Sequence, residues 1–215
     1  MKFSPFSKCT MGFLISVLML PFSMMAQEAG SFTDPRDGQV YETVTYRIAD
    51  SLQMITDHDE YSTYLNGEVR TVEISLSDMP RSMTWMTRNL NFSMDSSKCK
   101  YEADSNCEMY GRLYTWKAAN RACPTGWHLP SDAEWYVLAY LYGGVAVAGQ
   151  HLKSSTLNGT NSSQFNVRKP SIFWSASELD SISALDWKVN FRWAKLQRWK
   201  GGKNLYNSVR CIKDY

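Results

Sequence analysis

The side chains of this 215-residue sequence best suited to chemistry are five cysteines, three histidines and a late stretch in which tryptophans alternate with cations. Cys9 precedes an apolar run near the start, which leaves Cys99, Cys107, Cys123 and Cys211 for the folded part. Four cysteines allow three pairings, and nearness in sequence favours Cys99–Cys107 as a local loop and Cys123–Cys211 as a long one. The rival, a zinc site of three cysteines with His128, lacks the C-x-x-C pair that short-spaced zinc ligation uses. His128 stands in GWHLPS between Trp127 and Leu129, the place of a packed turn residue rather than a base. His58 lies in Asp57-His58-Asp59-Glu60, where consecutive side chains diverge, so a solvated loop explains it better than a metal site. No serine or cysteine sits in a nucleophile motif beside His58, His128 or His151, so no catalytic residue is assigned and no cofactor is expected. What remains is Arg192, Trp193, Lys195, Arg198, Trp199, Lys200 and Lys203. Tryptophan and arginine anchor many binding surfaces, which makes Arg192, Trp193, Arg198, Trp199 and Lys200 the candidate ligand-binding set. The competing reading makes these tryptophans the core of a small sheet.

The elements that must position these residues can be read from pattern. Thr115 is a candidate N-cap, Tyr114/Ala118/Ala122 and Trp116/Ala119/Cys123 recur at helical spacing, and Pro124 stops the helix. Ser131-Asp132-Ala133-Glu134 is a capping box, in which serine and glutamate satisfy each other's orphan backbone donors. Trp135, Leu138, Ala139 and Tyr142 make the stripe of that second helix, and Gly143-Gly144 ends it. Asp34-Pro35 and Asp37-Gly38 mark turns before a strand at Val40–Thr45. Tyr61–Leu65, Asn66-Gly67 and Glu68–Leu76 read as a two-residue hairpin whose Val72, Ile74 and Leu76 form one apolar face. Lys98–Asn106 reads as a polar loop. The remaining strands are expected at Ile172–Ser177, Ala184–Phe191, Leu196–Trp199 and Tyr206–Lys213, with Lys200-Gly201-Gly202-Lys203 as a turn. In Trp187–Trp193 the aromatics and valine alternate with polar residues. If the strand stays regular, Trp193 points inward with Trp187 and Val189; a turn near Trp193–Ala194 would reverse that.

Residues 1–26 read as a secretory signal: Lys2 and Lys8, an apolar run Met11–Leu20, and a cut after Ala26. The run is about half the roughly 20 residues a membrane span needs, so no transmembrane anchor is expected after its removal. The formal net charge of +2 includes both lysines, and the remainder balances at zero, which excludes a general nucleic-acid binder.

GRLYTW, ACPTGWHLPSDAEW, FWSASE and the terminal SVRCIKD resemble the Fibrobacter succinogenes major paralogous domain, a family of exported proteins. FTDPRDGQVYETV and the later Asn89-Leu90-Asn91 resemble it too, with an insertion of about 35 residues between them. The resemblance implies an α+β, C-type-lectin-like fold, also similar to the formylglycine-generating enzyme fold, with two short helices packed on twisted antiparallel strands. In that fold a cysteine ending the first helix is tied to the last strand, which matches Cys123–Cys211. The places matching a lectin calcium site, Lys169-Pro170-Ser171 and Asn207–Arg210, lack the paired oxygens a hard cation needs. The paired active-site cysteines of the enzyme relatives have no counterpart. The reading is one domain over residues 32–213 with a hairpin insertion at about 46–83. Its expected role is a secreted, periplasmic or outer-surface binding or adhesion module of a Gram-negative bacterium, with polysaccharide or a surface protein as ligand. The alternatives are an enzyme of unrecognised type on the same scaffold and a structural subunit of a surface assembly.

Overall fold

Two larger, mainly antiparallel sheets and one two-stranded sheet form among the described residues, and the last strand region contributes to both larger ones. The computed structural model describes residues 27–59, 70–77, 79–169 and 171–215, so the expected signal segment and the expected turn at Asn66-Gly67 lie outside the described residues. In chain order, β1 (Gln27–Thr33) and β2 (Val40–Arg47) form a hairpin closed through the Asp34–Gly38 turn. Next come β3 (Met54–Asp59), β4 (Arg70–Ser75) and β5 (Ser82–Met86). Then follow β6 (Ser97–Lys98), α1 (Asp104–Tyr110), β7 (Leu113–Tyr114), α2 (Trp116–Ala122), β8 (Trp127–His128), α3 (Asp132–Tyr140) and α4 (Val145–Leu152). The chain ends with β9 (Ser171–Glu178), β10 (Ser183–Val189), β11 (Leu196–Gly202), β12 (Asn207–Ser208) and β13 (Ile212–Lys213). The first sheet runs β1-β2-β5-β13-β8 and the second β11-β10-β9-β12-β7-β6.

The helix signals act as their chemistry demands. Thr115 Oγ1 accepts the Ala118 N–H at 3.4 Å and Pro124 follows the end of α2. At α3 the Ser131 Oγ accepts the Glu134 N–H at 3.2 Å while Glu134 Oε2 accepts the Ser131 N–H at 2.6 Å. Gly143 and Gly144 then take φ of +86° and +87°, which lets the Gly144 N–H reach back to the Ala139 carbonyl at 3.0 Å.

Trp135 of α3 joins the two sheets. It packs 5.0 Å from Trp85 of the first sheet and 5.5 Å and 6.1 Å from Phe173 and Trp187 of the second. Such close aromatic pairs add directional attraction to their large buried area. A second cluster sets the small Ala118, Ala119 and Ala122 of α2 against Trp174, Val209 and Cys211. Both bridges, Cys99–Cys107 and Cys123–Cys211, are formed.

Several expectations shift in detail. The insertion's hairpin pairs Met54–Asp59 with Arg70–Ser75, so Asp57-His58-Asp59 belongs to a strand instead of a loop. Its apolar side is covered as expected: Ile55, Ile74 and Leu76 are buried in the same core as Trp135 and Tyr136. Lys98–Asn106 is not loop throughout, because a 3₁₀ turn at Lys100–Glu102 and the start of α1 occupy it. The last strand splits at Val209–Cys211 between the two sheets. β11 continues through Lys200-Gly201-Gly202, and the chain turns after it, with the Leu205 N–H donating to the Gly202 carbonyl at 2.9 Å. Gly201 suits that strand because a Cβ there would lie 2.3 Å from Asp186 Oδ2 and 2.8 Å from the Trp174 ring.

Candidate functional site: an aromatic loop and a basic cleft

β10 ends at Val189, two residues earlier than its alternation implies, and this frees Phe191 and Trp193 from the sheet's parity. Asn190 starts the departure: its Oδ1 accepts the Arg192 N–H at 2.9 Å, a local bond that competes with the strand ladder. Phe191 and Trp193 are 46% and 44% exposed. Arg192 lies 5.3 Å from the Phe191 ring and Lys195 lies 5.0 Å from the Trp193 ring, both at cation–π range.

The loop is held from below by α4. The buried Lys153 reaches up with its Nζ, which donates to the Trp193 carbonyl at 3.0 Å and the Phe191 carbonyl at 3.5 Å. Burial lowers the pKa of that lysine. The Gln150 N–H donates to the Ala194 carbonyl at 2.8 Å. Gly149 allows the approach, since a Cβ there would meet the Lys195 carbonyl oxygen at 2.5 Å. The exposed rings are therefore presented on a backbone with fixed partners.

The other expected ligand contacts divide. Arg198 is buried against α3, where its Nε donates to Asp132 Oδ1 at 2.9 Å and its Nη2 pairs with Asp132 Oδ2 at 2.7 Å. The Trp187 indole donates to the same Oδ1 at 3.0 Å. Arg198 is thus part of the interior, because its cross-strand partner is the buried Trp187 and it shares that face. Trp199 is half-buried, opposite Asp186 on the other face, with Lys188 4.6 Å from its ring. Lys200 is exposed and paired to Asp180 at 3.0 Å. Of the five, Arg192 and Trp193 share the loop, and Phe191 joins them although sequence alternation placed it inside.

His128 sits in a polar clamp. Its Nδ1 lies 2.6 Å from Asp214 Oδ1 and its Nε2 lies 2.8 Å from Glu134 Oε1, the same carboxylate that caps α3. The bond to Glu134, reinforced by Asp214 and opposed by burial, raises the His128 pKa above 6.5. The stabilisation is therefore complete below pH 6.5 and is lost as pH rises through the raised folded value. The melting temperature of the wild type should fall relative to that of His128→Asn between about pH 6 and 8. A constant difference across that range, in thermal melts at fixed ionic strength, would remove the clamp from the account.

A second concave region lies where three separate segments meet. Asn89 of the Asn-Leu-Asn segment, Gly111 at the end of α1 and Arg210 between β12 and β13 converge on a cleft of about 170 Å³. Gly111 has φ +75°, and a Cβ there would lie 2.7 Å from Asn89 Cβ and 2.8 Å from two backbone oxygens. Asn89 Nδ2 donates to the Tyr110 carbonyl at 2.9 Å, and its Oδ1 accepts from Arg210 Nε at 2.9 Å. Arg88, Arg168 and Lys169 also line the cleft, with Glu108 as the one carboxylate. Sequence reading assigned these residues no role. Arg210 appeared only within SVRCIKD and within the Asn207–Arg210 stretch set aside as a calcium site, and Lys153 drew no reading there.

Among the described residues, no helix is long and apolar enough to cross a membrane, and no group of three or more His, Cys, Asp or Glu side chains is placed to hold a metal ion. Residues 81–213 match the Fibrobacter succinogenes major domain, so the match starts at the end of the insertion and includes all four paired cysteines, the aromatic loop and Arg210. No curated protein and no solved structure matches the chain.

Proposed function

The chain belongs to the Fibrobacter succinogenes major domain family, and from that premise we propose that it is an exported, non-catalytic binding or adhesion module whose ligand surface is the Phe191–Lys195 loop. One observation carries the reading: two large aromatic side chains stand exposed, beside cations, on a loop pinned by Lys153 and Gln150. A fixed loop loses little conformational entropy when it meets a partner, so its contact area is used efficiently. Aromatic faces suit sugar rings and surface proteins alike, and polysaccharide or a surface protein is the ligand class. Two disulfides and the basic-then-apolar pattern of residues 1–26 support export to the periplasm or the outer surface. The bridge from the end of α2 to the last strand region, beside a helix wedged between two sheets, supports a C-type-lectin-like arrangement.

The test is a screen of residues 27–215 against insoluble polysaccharides and cell envelopes, repeated with Trp193→Ala. A buried-on-binding tryptophan contributes about 2 kcal/mol or more, so the variant should bind roughly 30-fold more weakly. Its melting temperature should stay nearly that of the wild type, because the ring is not packed in the core. Trp199→Ala should instead lose stability, its ring being half-buried. Wild-type affinity in Trp193→Ala, or global unfolding of that variant, would place the ligand surface elsewhere.

A further inference from the structure

Arg210 is 3% exposed at the basic cleft, yet its partners are all neutral. Its Nε donates to Asn89, one Nη1 hydrogen donates to the Phe165 carbonyl, and the Phe165 and Phe173 rings lie 4.2 Å and 5.5 Å from the guanidinium carbon. Those two bonds use two of five donors. No carboxylate among the described residues pairs with it; the titratable groups acting on it are the buried Tyr46 hydroxyl and another cation, Arg168. A buried charge without a counterion is strongly disfavoured, and arginine does not escape the penalty by losing its proton. Around it Arg88, Arg168 and Lys169 face Glu108 alone.

We propose that this cleft is an oxyanion site, which takes a carboxylate, sulfate or phosphate group of a ligand against Arg210, with Lys169 and Arg168 at its rim. A guanidinium presents parallel N–H donors that match the two oxygens of such a group, and charge-assisted bonds of this kind are the strong ones. Lys169 fits the role. It stands 3.9 Å from the Tyr110 ring, and burial together with the like charge of Lys100 pulls its pKa down to about 8. An arriving anion relieves that crowding. Asn89 and Gly111 act as positioning residues: one holds the guanidinium and the other lets the α1 end approach Asn89. The site shares no residue with the aromatic loop, so it stands or falls separately from the proposed ligand surface.

Calorimetric titrations of the wild-type chain with inorganic sulfate, inorganic phosphate and a galacturonic acid oligomer, at constant ionic strength with chloride as control, test this directly. At least one of the three should bind saturably. The rim variant Arg168→Gln/Lys169→Gln should bind it about tenfold more weakly or worse, while melting no lower than wild type without the anion. Arg210→Lys, which keeps the charge and loses the planar fork, should abolish saturable binding; if it fails to fold, the rim variant decides. Saturation by the oligomer alone identifies a carboxylate-bearing saccharide, and saturation by the inorganic ions identifies a sulfate or phosphate group. Absence of saturable binding by all three, or unchanged affinity in the rim variant, overturns the proposal.

Discussion

Replacing Cys123 and Cys211 together with serine is expected to lower stability by about 4–5 kcal/mol, the largest effect of any paired replacement in the chain. The bridge spans 88 residues, and the chain-entropy relation assigns that value to a loop of this length. The second bridge spans only 8 residues, so its removal should cost about 2–3 kcal/mol by the same relation. The long bridge also holds a critical junction. Cys211 lies between β12 and β13, where the chain passes from one sheet to the other, and the Met86 N–H donates to its carbonyl at 3.0 Å. Denaturant melts of both double variants, under oxidising conditions, measure the difference. Equal losses, or a larger loss from the short bridge, would contradict the entropic ordering.

Asp132→Ala is expected to be the most damaging single replacement among the polar residues. Asp132 carries both oxygens of the Arg198 pair and the acceptor of the Trp187 indole. Deleting it removes both oxygens that hold the Arg198 guanidinium and the acceptor of the Trp187 indole. Breaking one partner of a buried pair costs about 3–5 kcal/mol. For a chain of this size that corresponds to a melting temperature lower on the order of 10 °C. Asp132→Asn keeps the one oxygen that accepts from both the Trp187 indole and Arg198 Nε but loses the charge and the oxygen facing Nη2, and should fall about midway. Replacing Arg198 and Asp132 together by apolar residues should be milder than Asp132→Ala alone, since no charge is then stranded. A thermal melt of Asp132→Ala within a degree or two of wild type would show that the pair is solvated in solution.

The sequence signals that proved legible are those written in local chemistry. Thr115, Ser131 and Glu134 announce helix starts because capping depends on a side chain and a backbone donor a few residues apart. Gly143-Gly144 announces a stop because it supplies positive φ. Both cysteine pairs follow from their spacing together with the family resemblance. What stayed hidden depends on contacts distant in sequence. Arg198 looks like a surface cation until Asp132, 66 residues away, is brought against it. Lys153 looks like any helix-end lysine until the Phe191–Trp193 carbonyls, about 40 residues on, close over it. The alternation through Trp187–Trp193 misplaced Phe191 because one Asn190 side-chain bond ends the strand early. Arg210 is the extreme case: its burial arises only when Asn89, Phe165 and Phe173 surround it.

The central claim, that the Phe191–Lys195 loop is the ligand surface, is tested most directly by resonance mapping. A ¹⁵N-labelled chain, residues 27–215, is titrated with the polysaccharide or envelope fragment that the binding screen returns. The account expects the Trp193 indole and the amides of Arg192–Lys195 to shift together and to saturate at the same concentration. The Trp135 and Trp187 indoles, buried in the core, should stay in place. Shifts that saturate elsewhere on the chain while the Trp193 indole and the Arg192–Lys195 amides remain still would contradict it.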